Sequence, residues 1–409
     1  MINVAIMGHG VVGSGVAEIL HNYSDRIAKK AQTGINVKYI LDLRDFDGLP
    51  YSDKFIKDFN KILNDDEVKI VVEVMGGCTF AYEYVKACLL AGKSVCTSNK
   101  ELVAAKGDEL LDIALEKNVN FLFEASVGGG IPVLRPMAQC LTANEITEVT
   151  GILNGTTNFI LTKMISDNMS FEDALKLAQE LGYAEKDPTA DIEGHDTCRK
   201  ICILASLGFG KHVYPEQVKT EGITNVSLKD VDYAEQFNSV IKLVGRTRKL
   251  DDGTITANVY PAFIDKNNML SGVTDVFNAI MVRGDAVGDV MFYGRGAGKF
   301  PTASAVVGDV IDCAKHISAR KYLHWDKGYA EYVSGTENDI TRFFVRLKTN
   351  DPDNTRNEVV SKINTKTYIV NYNDSEVAFL TENDIEKTLL EQINSLNSCE
   401  VIKILHVID

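Results

Sequence analysis

Three stretches of this chain combine residue types and spacings that can do chemistry. The first is Gly8-His9-Gly10-Val11-Val12-Gly13, set between an apolar strand-like run at 3–7 and a helix-periodic run at 11–23. Glycines at that spacing permit a tight turn, close backbone approach to a pyrophosphate and tight helix–strand packing. The unpaired N–H groups opening the helix suit the phosphates. The motif predicts a bound dinucleotide. Ribose selectivity stays open, because the second strand (37–43) ends on both Asp42, suited to ribose hydroxyls, and Arg44, suited to a 2′-phosphate. Lys54 and Lys57 add positive charge nearby and tilt the reading toward NADP.

The second stretch is Gly182-Tyr183-Ala184-Glu185-Lys186-Asp187-Pro188-Thr189-Ala190-Asp191-Ile192-Glu193-Gly194-His195-Asp196-Thr197-Cys198-Arg199-Lys200, in which five acids precede Lys200 and an apolar run, 201–207, follows it. Asp196 and Lys200 are i,i+4 neighbours on a helix. Such a pair at a surface contributes only about 0.3–0.5 kcal/mol. Lys200 instead leads into a segment too apolar to be solvated, so it reads as a proton donor held by carboxylates, which could also hold a substrate ammonium. The third stretch, Gly92-Lys93-Ser94-Val95-Cys96-Thr97-Ser98-Asn99-Lys100, ends a strand and is read as opening a loop, placing Lys100 either in a ligand crevice or in solvent. Two further Gly-rich stretches, Glu124 to Pro132 and Gly294 to Gly298, lie near expected strand ends and suit close backbone approach to a ligand or ion.

The elements that must position these residues follow from periodicity. Strands at 3–7, 37–43, 69–75, 94–97 and 120–123 alternate with helices at 11–23, 82–91 and 105–117, a βαβ rhythm that predicts a doubly wound parallel sheet of Rossmann type. From about 145 the rhythm changes. A strand at 146–153, helices at 157–166, 170–181 and 194–207, a hairpin of 240–249 with 254–264, and strands at 277–283 and 288–293 predict a mixed α+β domain. A helix at 303–320 is expected to return to the first domain. The tail reads as strands at 340–348, 367–372, 376–381 and 399–407 with a helix at 384–397; the polar run 350–356 lies between its first two strands, and any first helix would be short, near 357–363. The expected division is thus 1–140 with the returning helix 301–320, then 141–300, then 338–409.

The chain has 409 residues with 43 basic and 57 acidic side chains, a net charge of −14. That balance argues against nucleic acid as a partner. No apolar run reaches the ~20 residues of a membrane span, and the N-terminus lacks the features of a signal peptide. Eight cysteines without a C-x-x-C pair read as reduced thiols of a cytoplasmic protein. His195, Cys198 and Cys202 share a helix face but lack zinc-site spacing.

Taken in order, Gly8–Gly13, Gly92–Lys100, Glu124–Pro132, Gly151-Ile152-Leu153-Asn154-Gly155-Thr156-Thr157-Asn158, Gly182–Lys200 and Tyr293–Thr302 resemble the homoserine dehydrogenase family over about residues 2–320. The resemblance implies reversible hydride transfer between NADP or NAD and L-aspartate 4-semialdehyde, giving L-homoserine on the route to threonine, methionine and isoleucine. It implies Lys200 as general acid, Lys100 as the second lysine near nicotinamide and substrate, and Glu185, Asp191, Asp196, Gly155 and Thr156 as substrate-binding. It further implies cofactor contacts at Gly8, His9, Gly10, Val11, Val12, Gly13, Arg44, Gly76, Ser98, Lys100 and Gly298. A sodium site of backbone carbonyls is implied at Glu124, Val127, Gly129 and Ile131.

With no aspartate kinase region ahead of the fold, the monofunctional type is expected, as a homodimer or homotetramer. The tail resembles an ACT-like module, implying L-threonine as an effector or a role in dimerisation. Two rivals stay open: a catalytically silent sensor of amino acid and dinucleotide, and a same-fold dehydrogenase for another amino-acid aldehyde.

Overall fold

Val4 to Met7 and Ile70 to Val72 are completely buried on both faces. Such unbroken apolar runs suit a parallel sheet covered on both sides by helices. The sheet has six parallel strands in the order Phe55–Ile56, Ile35–Leu41, Ile2–Met7, Val68–Glu73, Ser94–Thr97, Phe121–Leu122. This is the doubly wound order 3-2-1-4-5-6, whose direction of winding reverses between Ile2–Met7 and Val68–Glu73. The computed structural model describes residues 1–319, 323–335, 339–363, 366–373, 375–396 and 399–409. Met1–Val149, Cys202–Pro215 and Val282–Tyr329 form one unit; Thr150–Ile201, Glu216–Met281 and Ala330–Asp409 form another.

Within the first unit, the helix Lys299–Lys315 packs Val306, Val310 and Cys313 into one core with Val4, Ile6, Val16 and Leu20. It starts four residues before the expected 303, because Gly298 breaks the chain there with φ +120°. It ends at Lys315, five residues short of the expected 320, because the chain leaves helical geometry at His316. Lys100 does not lie in a loop. It is the first residue of the helix Lys100–Glu116, which Asn99 caps by accepting from the Leu102 N–H. The strand Phe55–Ile56 is too short for its two residues to carry any periodic signal.

In the second unit, Ser239–Lys249 and Ile255–Asp265 form the expected antiparallel hairpin, paired from Ser239 with Asp265 to Lys249 with Ile255. The C-terminal strand Cys399–Ile408 then adds in parallel, with Ala262 opposite His406. It is followed by Ile340–Thr349, Glu376–Thr381 and Thr367–Asn373, all antiparallel. The sheet is therefore mixed. The tail itself runs strand, helix, strand, strand, helix, strand, the ferredoxin-like βαββαβ order. Both its helices, Pro352–Lys362 and Glu386–Asn394, share a core with Phe343, Val345, Leu347, Val377 and Phe379.

The first tail helix is longer than the short turn expected near 357–363. Asp351 caps it by accepting from the Asn354 N–H, and Pro352 takes the first helical position, where a missing N–H costs nothing. The second helix begins two residues after 384 and ends at Asn394, three residues before the expected 397, with Ser395 as its C-cap; 338, the expected start of the tail domain, lies outside the described residues.

Candidate functional site

The Gly-rich turn of the first unit is shaped for a ligand's approach. Gly8 has φ +99°, and a Cβ there would lie 2.9 Å from the Val74 carbonyl oxygen; one on Gly13 would lie 2.0 Å from the Gly8 oxygen. Space around Gly10, by contrast, is open. Gly10 is also the N-cap of the helix Val11–Asn22 and provides no side-chain cap, so the first helical N–H groups face the turn without one. A pyrophosphate fits this cradle.

The turn is pinned from the neighbouring strand by Asp42. Its carboxylate accepts from the His9 N–H at 2.8 Å and from Arg44 N, Nε and Nη2 at 3.0, 3.0 and 2.9 Å. The Arg44 side chain holds the Asp42 carboxyl well below the usual carboxylate range. Arg44 Nη2 also donates to the His9 carbonyl at 3.2 Å. Among the described residues Arg44 Nη1 donates to none, and the side chain is 62% exposed.

Gly76 and Ser98 follow the next two strands, so the expected cofactor residues from Gly8 to Ser98 share the carboxyl edge of four adjoining parallel strands. Glu73, which sequence reading missed, ties that edge together. It is fully buried and accepts from Met75 N at 2.8 Å, Gly76 N at 3.3 Å and Thr97 Oγ1 at 2.6 Å. Burial pushes its carboxyl up. Asn99 adds a bond from Nδ2 to the Gly77 carbonyl at 2.6 Å.

The turn Glu124–Ile131 follows the last strand of the same sheet. The Glu124 carboxylate is consumed structurally, accepting from Val133, Leu134 and Arg135 N–H at 2.7, 2.8 and 2.8 Å. It therefore caps the short helix Leu134–Gln139. Among the described residues, no donor is directed at the carbonyls of Val127, Gly129 or Ile131, all buried. Gly129 must be glycine, since a Cβ would lie 2.3 Å from the Gly296 oxygen. Carbonyl oxygens without N–H partners are donors that suit a hard cation.

In the second unit, Lys200 and Asp196 are 7% and 5% exposed. Lys200 Nζ donates to Asp196 Oδ2 at 2.8 Å and to the Leu153 carbonyl at 2.6 Å. Asn154 Nδ2 donates to Asp191 Oδ1 at 2.6 Å and to the same Asp196 Oδ2 at 2.9 Å. The helix Gly155–Ser166 begins here, with Asn154 as its N-cap. Thr156 Oγ1 donates to the Tyr183 carbonyl at 2.6 Å, and a Cβ on Gly155 would lie 2.9 Å from the Val276 oxygen. The structure thus brings Asp191, Asp196 and Lys200 together around the chain at 153–154. Glu185 stands apart: it is exposed, its carbonyl accepts from Gln179 Nε2, and no bond among the described residues ties its carboxylate to that cluster.

Residue type alone gives Asn154 no role. The only local signal is its cap position before Gly155-Thr156-Thr157. A second omission is Lys242, buried in the hairpin, whose Nζ donates to Asn158 Oδ1 at 3.0 Å and to the Val273 carbonyl at 2.6 Å. Burial lowers its pKa to about 8. Nothing in an alternating strand pattern distinguishes it from a surface lysine.

Comparison with known proteins covers both units. Residues 8–124 match the family model described as homoserine dehydrogenase, NAD binding domain, and residues 132–311 the one described as homoserine dehydrogenase. A homoserine dehydrogenase of Neisseria gonorrhoeae is 34% identical over 420 aligned residues, covering 98% of this chain and 96% of that one. A crystal structure of a homoserine dehydrogenase from Thiobacillus denitrificans superposes with a TM-score of 0.92 at 32% identity, covering 100% of this chain and 98% of that one. A hyperthermophilic archaeal homoserine dehydrogenase in complex with NADPH gives 0.64 at 30% identity, covering 76% and 97%.

Proposed function

The chain belongs to the homoserine dehydrogenase family of nicotinamide-dependent oxidoreductases, and from that premise we propose that it interconverts L-aspartate 4-semialdehyde and L-homoserine with Lys200 as the proton-transferring group. The observation that carries the assignment of Lys200 is its burial between one carboxylate and one carbonyl. An ammonium so placed can give a proton to the alkoxide formed when the aldehyde carbon is reduced, and its charge stabilises that oxygen beforehand. A nicotinamide cofactor held at the Gly8–Gly13 turn would supply the hydride. Asp191 and Asp196 receive the substrate ammonium, with Gly155 and Thr156 beside them; Glu185, exposed and apart from the cluster, is assigned to the amino-acid site on the family resemblance alone. Lys100 is read as a second cation of the reaction.

Cofactor preference is read as NADP. Support comes from Asp42, whose oxygens already accept four donors, and from the Nη1 group of Arg44, whose hydrogens remain for a 2′-phosphate. His9, Val11, Val12, Gly76, Ser98 and Gly298 complete the dinucleotide contacts. The carbonyls of Glu124, Val127, Gly129 and Ile131 would hold sodium, fixing the shape of their turn. The C-terminal βαββαβ module is read as ACT-like, with L-threonine as effector and association into a homodimer or homotetramer as its second role. The setting is cytoplasmic amino-acid biosynthesis. The test is nicotinamide absorbance with L-aspartate 4-semialdehyde as substrate: consumption of NADPH faster than of NADH is expected, and no consumption of either by folded protein contradicts the reading.

A further inference from the structure

Asn154 has both ends of its side-chain amide committed, in opposite senses. Its Oδ1 accepts from Thr157 N at 2.8 Å and from Thr157 Oγ1 at 3.1 Å, as the N-cap of the helix Gly155–Ser166. That fixes the amide orientation, because a reversed amide would aim a donor at a donor. Its Nδ2 must then point the other way, where it meets Asp191 Oδ1 and Asp196 Oδ2. The two carboxylates come from different elements, Asp191 from the short helix Thr189–Ile192 and Asp196 from the helix His195–Phe209. Sharing one amide nitrogen at hydrogen-bond distance brings them within the ~4–6 Å over which like charges disfavour one another.

We propose that Asn154 is a positioning residue for the reaction: its cap-oriented amide clamps Asp191 and Asp196 together and so sets the oxygen on which Lys200 rests. Asp196 Oδ2 accepts from both Asn154 Nδ2 and Lys200 Nζ, and Lys200 Nζ also donates to the carbonyl of Leu153, the residue before Asn154. Lys200 is thereby referenced to the 153–154 backbone by two routes, one direct and one through Asp196. The residue type matters. A neutral amide offers two N–H groups to two carboxylates without cancelling either charge, so after Lys200 offsets one of them the cluster keeps one net negative charge for a substrate ammonium. A lysine or arginine at 154 would quench that charge, and an apolar residue would leave the two acids to repel. Asn154 is 5% exposed, so water does not substitute for its amide.

The inference rests on the reading of this cluster as the amino-acid site, and the experiment separates the two. Serine caps helices about as well as asparagine, so N154S keeps the start of the helix Gly155–Ser166 while removing the clamp. Melting temperature, kcat and KM are measured for wild type, N154S, D191N, the double variant N154S/D191N, and K200A. N154S is expected to melt close to wild type and to lose about 10- to 100-fold in kcat/KM for homoserine, with a raised homoserine KM and an unchanged cofactor KM. Because both act through one contact, the double variant should lose far less than the product of the single losses. Wild-type kcat/KM in N154S, or losses that multiply in the double variant, overturns the proposal while the site reading stands if K200A is inactive. Wild-type turnover in K200A overturns the site reading and the proposal with it.

Discussion

Lys200 and Leu153, 47 positions apart in sequence, are joined by a 2.6 Å hydrogen bond from the lysine ammonium to the leucine carbonyl. This bond turns an ordinary i,i+4 pair with Asp196 into a fixed and buried cation. The Leu153 carbonyl and Asp196 Oδ2 both accept from the ammonium. An ammonium with one fixed carboxylate and one fixed carbonyl stays aimed in one direction, which a flexible surface lysine cannot do.

The first prediction concerns the pair itself. Replacing Asp196 with Ala leaves the Lys200 charge buried without its carboxylate partner, a change that typically costs about 3–5 kcal/mol. Both side chains are under 10% exposed, so solvent gives little relief. Denaturant unfolding of D196A should show a loss of that order, and D196N a smaller one. D196N should also raise the homoserine KM strongly while leaving cofactor binding in place.

Arg44 governs the second. R44A is expected to raise the KM for NADPH by about tenfold or more and to leave the KM for NADH nearly unchanged, since the lost partner is the 2′-phosphate. An equal rise with both nucleotides would show that Arg44 acts through the turn, by way of its bond to the His9 carbonyl.

The third prediction follows from Lys242. Burial holds its pKa near 8, against 10.5 for an ordinary lysine. Between those values the unfolded chain binds a proton that the folded chain has released. Raising the pH through that window therefore favours the folded state, by about 3 kcal/mol at most from this group. Stability of wild type relative to K242M should rise from pH 8 to about 10.5 and stay flat between pH 6 and 7.5. A flat difference throughout would mean that Lys242 titrates normally.

The fourth concerns the tail. The strand Cys399–Ile408 pairs directly with Ile255–Asp265, and Phe344 stacks on Phe263 with ring centroids 4.4 Å apart. Arg346 is paired with both Asp230 and Glu376. Removing everything after residue 335 would uncover a strand edge and the fully buried Phe263, whose burial alone contributes about 1.5–3 kcal/mol. The truncated chain should melt well below the full chain and aggregate on heating. Threonine inhibition is therefore better tested in the full chain, by titrating L-threonine against homoserine oxidation.

Much of this was legible in the sequence wherever the signal is local. The turn Gly8–Gly13 sits between a strand and a helix within a dozen residues, and the Asp196–Lys200 pair is one helical turn. The start of the helix Lys100–Glu116 was missed because Ser98-Asn99-Lys100 resembles a loop until Asn99 is recognised as a cap. Asp351-Pro352 is the same case: a polar pair that reads as a spacer is the cap and first residue of a helix. What sequence cannot show is partnership at a distance. Asn154 meets Asp191 and Asp196 from 37 and 42 positions away, and Glu73 meets Thr97 across neighbouring strands. Asp42 is a related case. Its type announced a ribose ligand, but its geometry makes it the internal partner of Arg44 and His9.

On the proposed mechanism Lys200 moves the proton. The most direct measurement compares wild type and K200A in steady-state reduction of L-aspartate 4-semialdehyde, with NADPH binding followed in parallel by nucleotide fluorescence. A rate lower by about 10²–10⁴ is expected in K200A, with NADPH affinity essentially that of wild type. Turnover near wild type in a variant that still binds NADPH would contradict it.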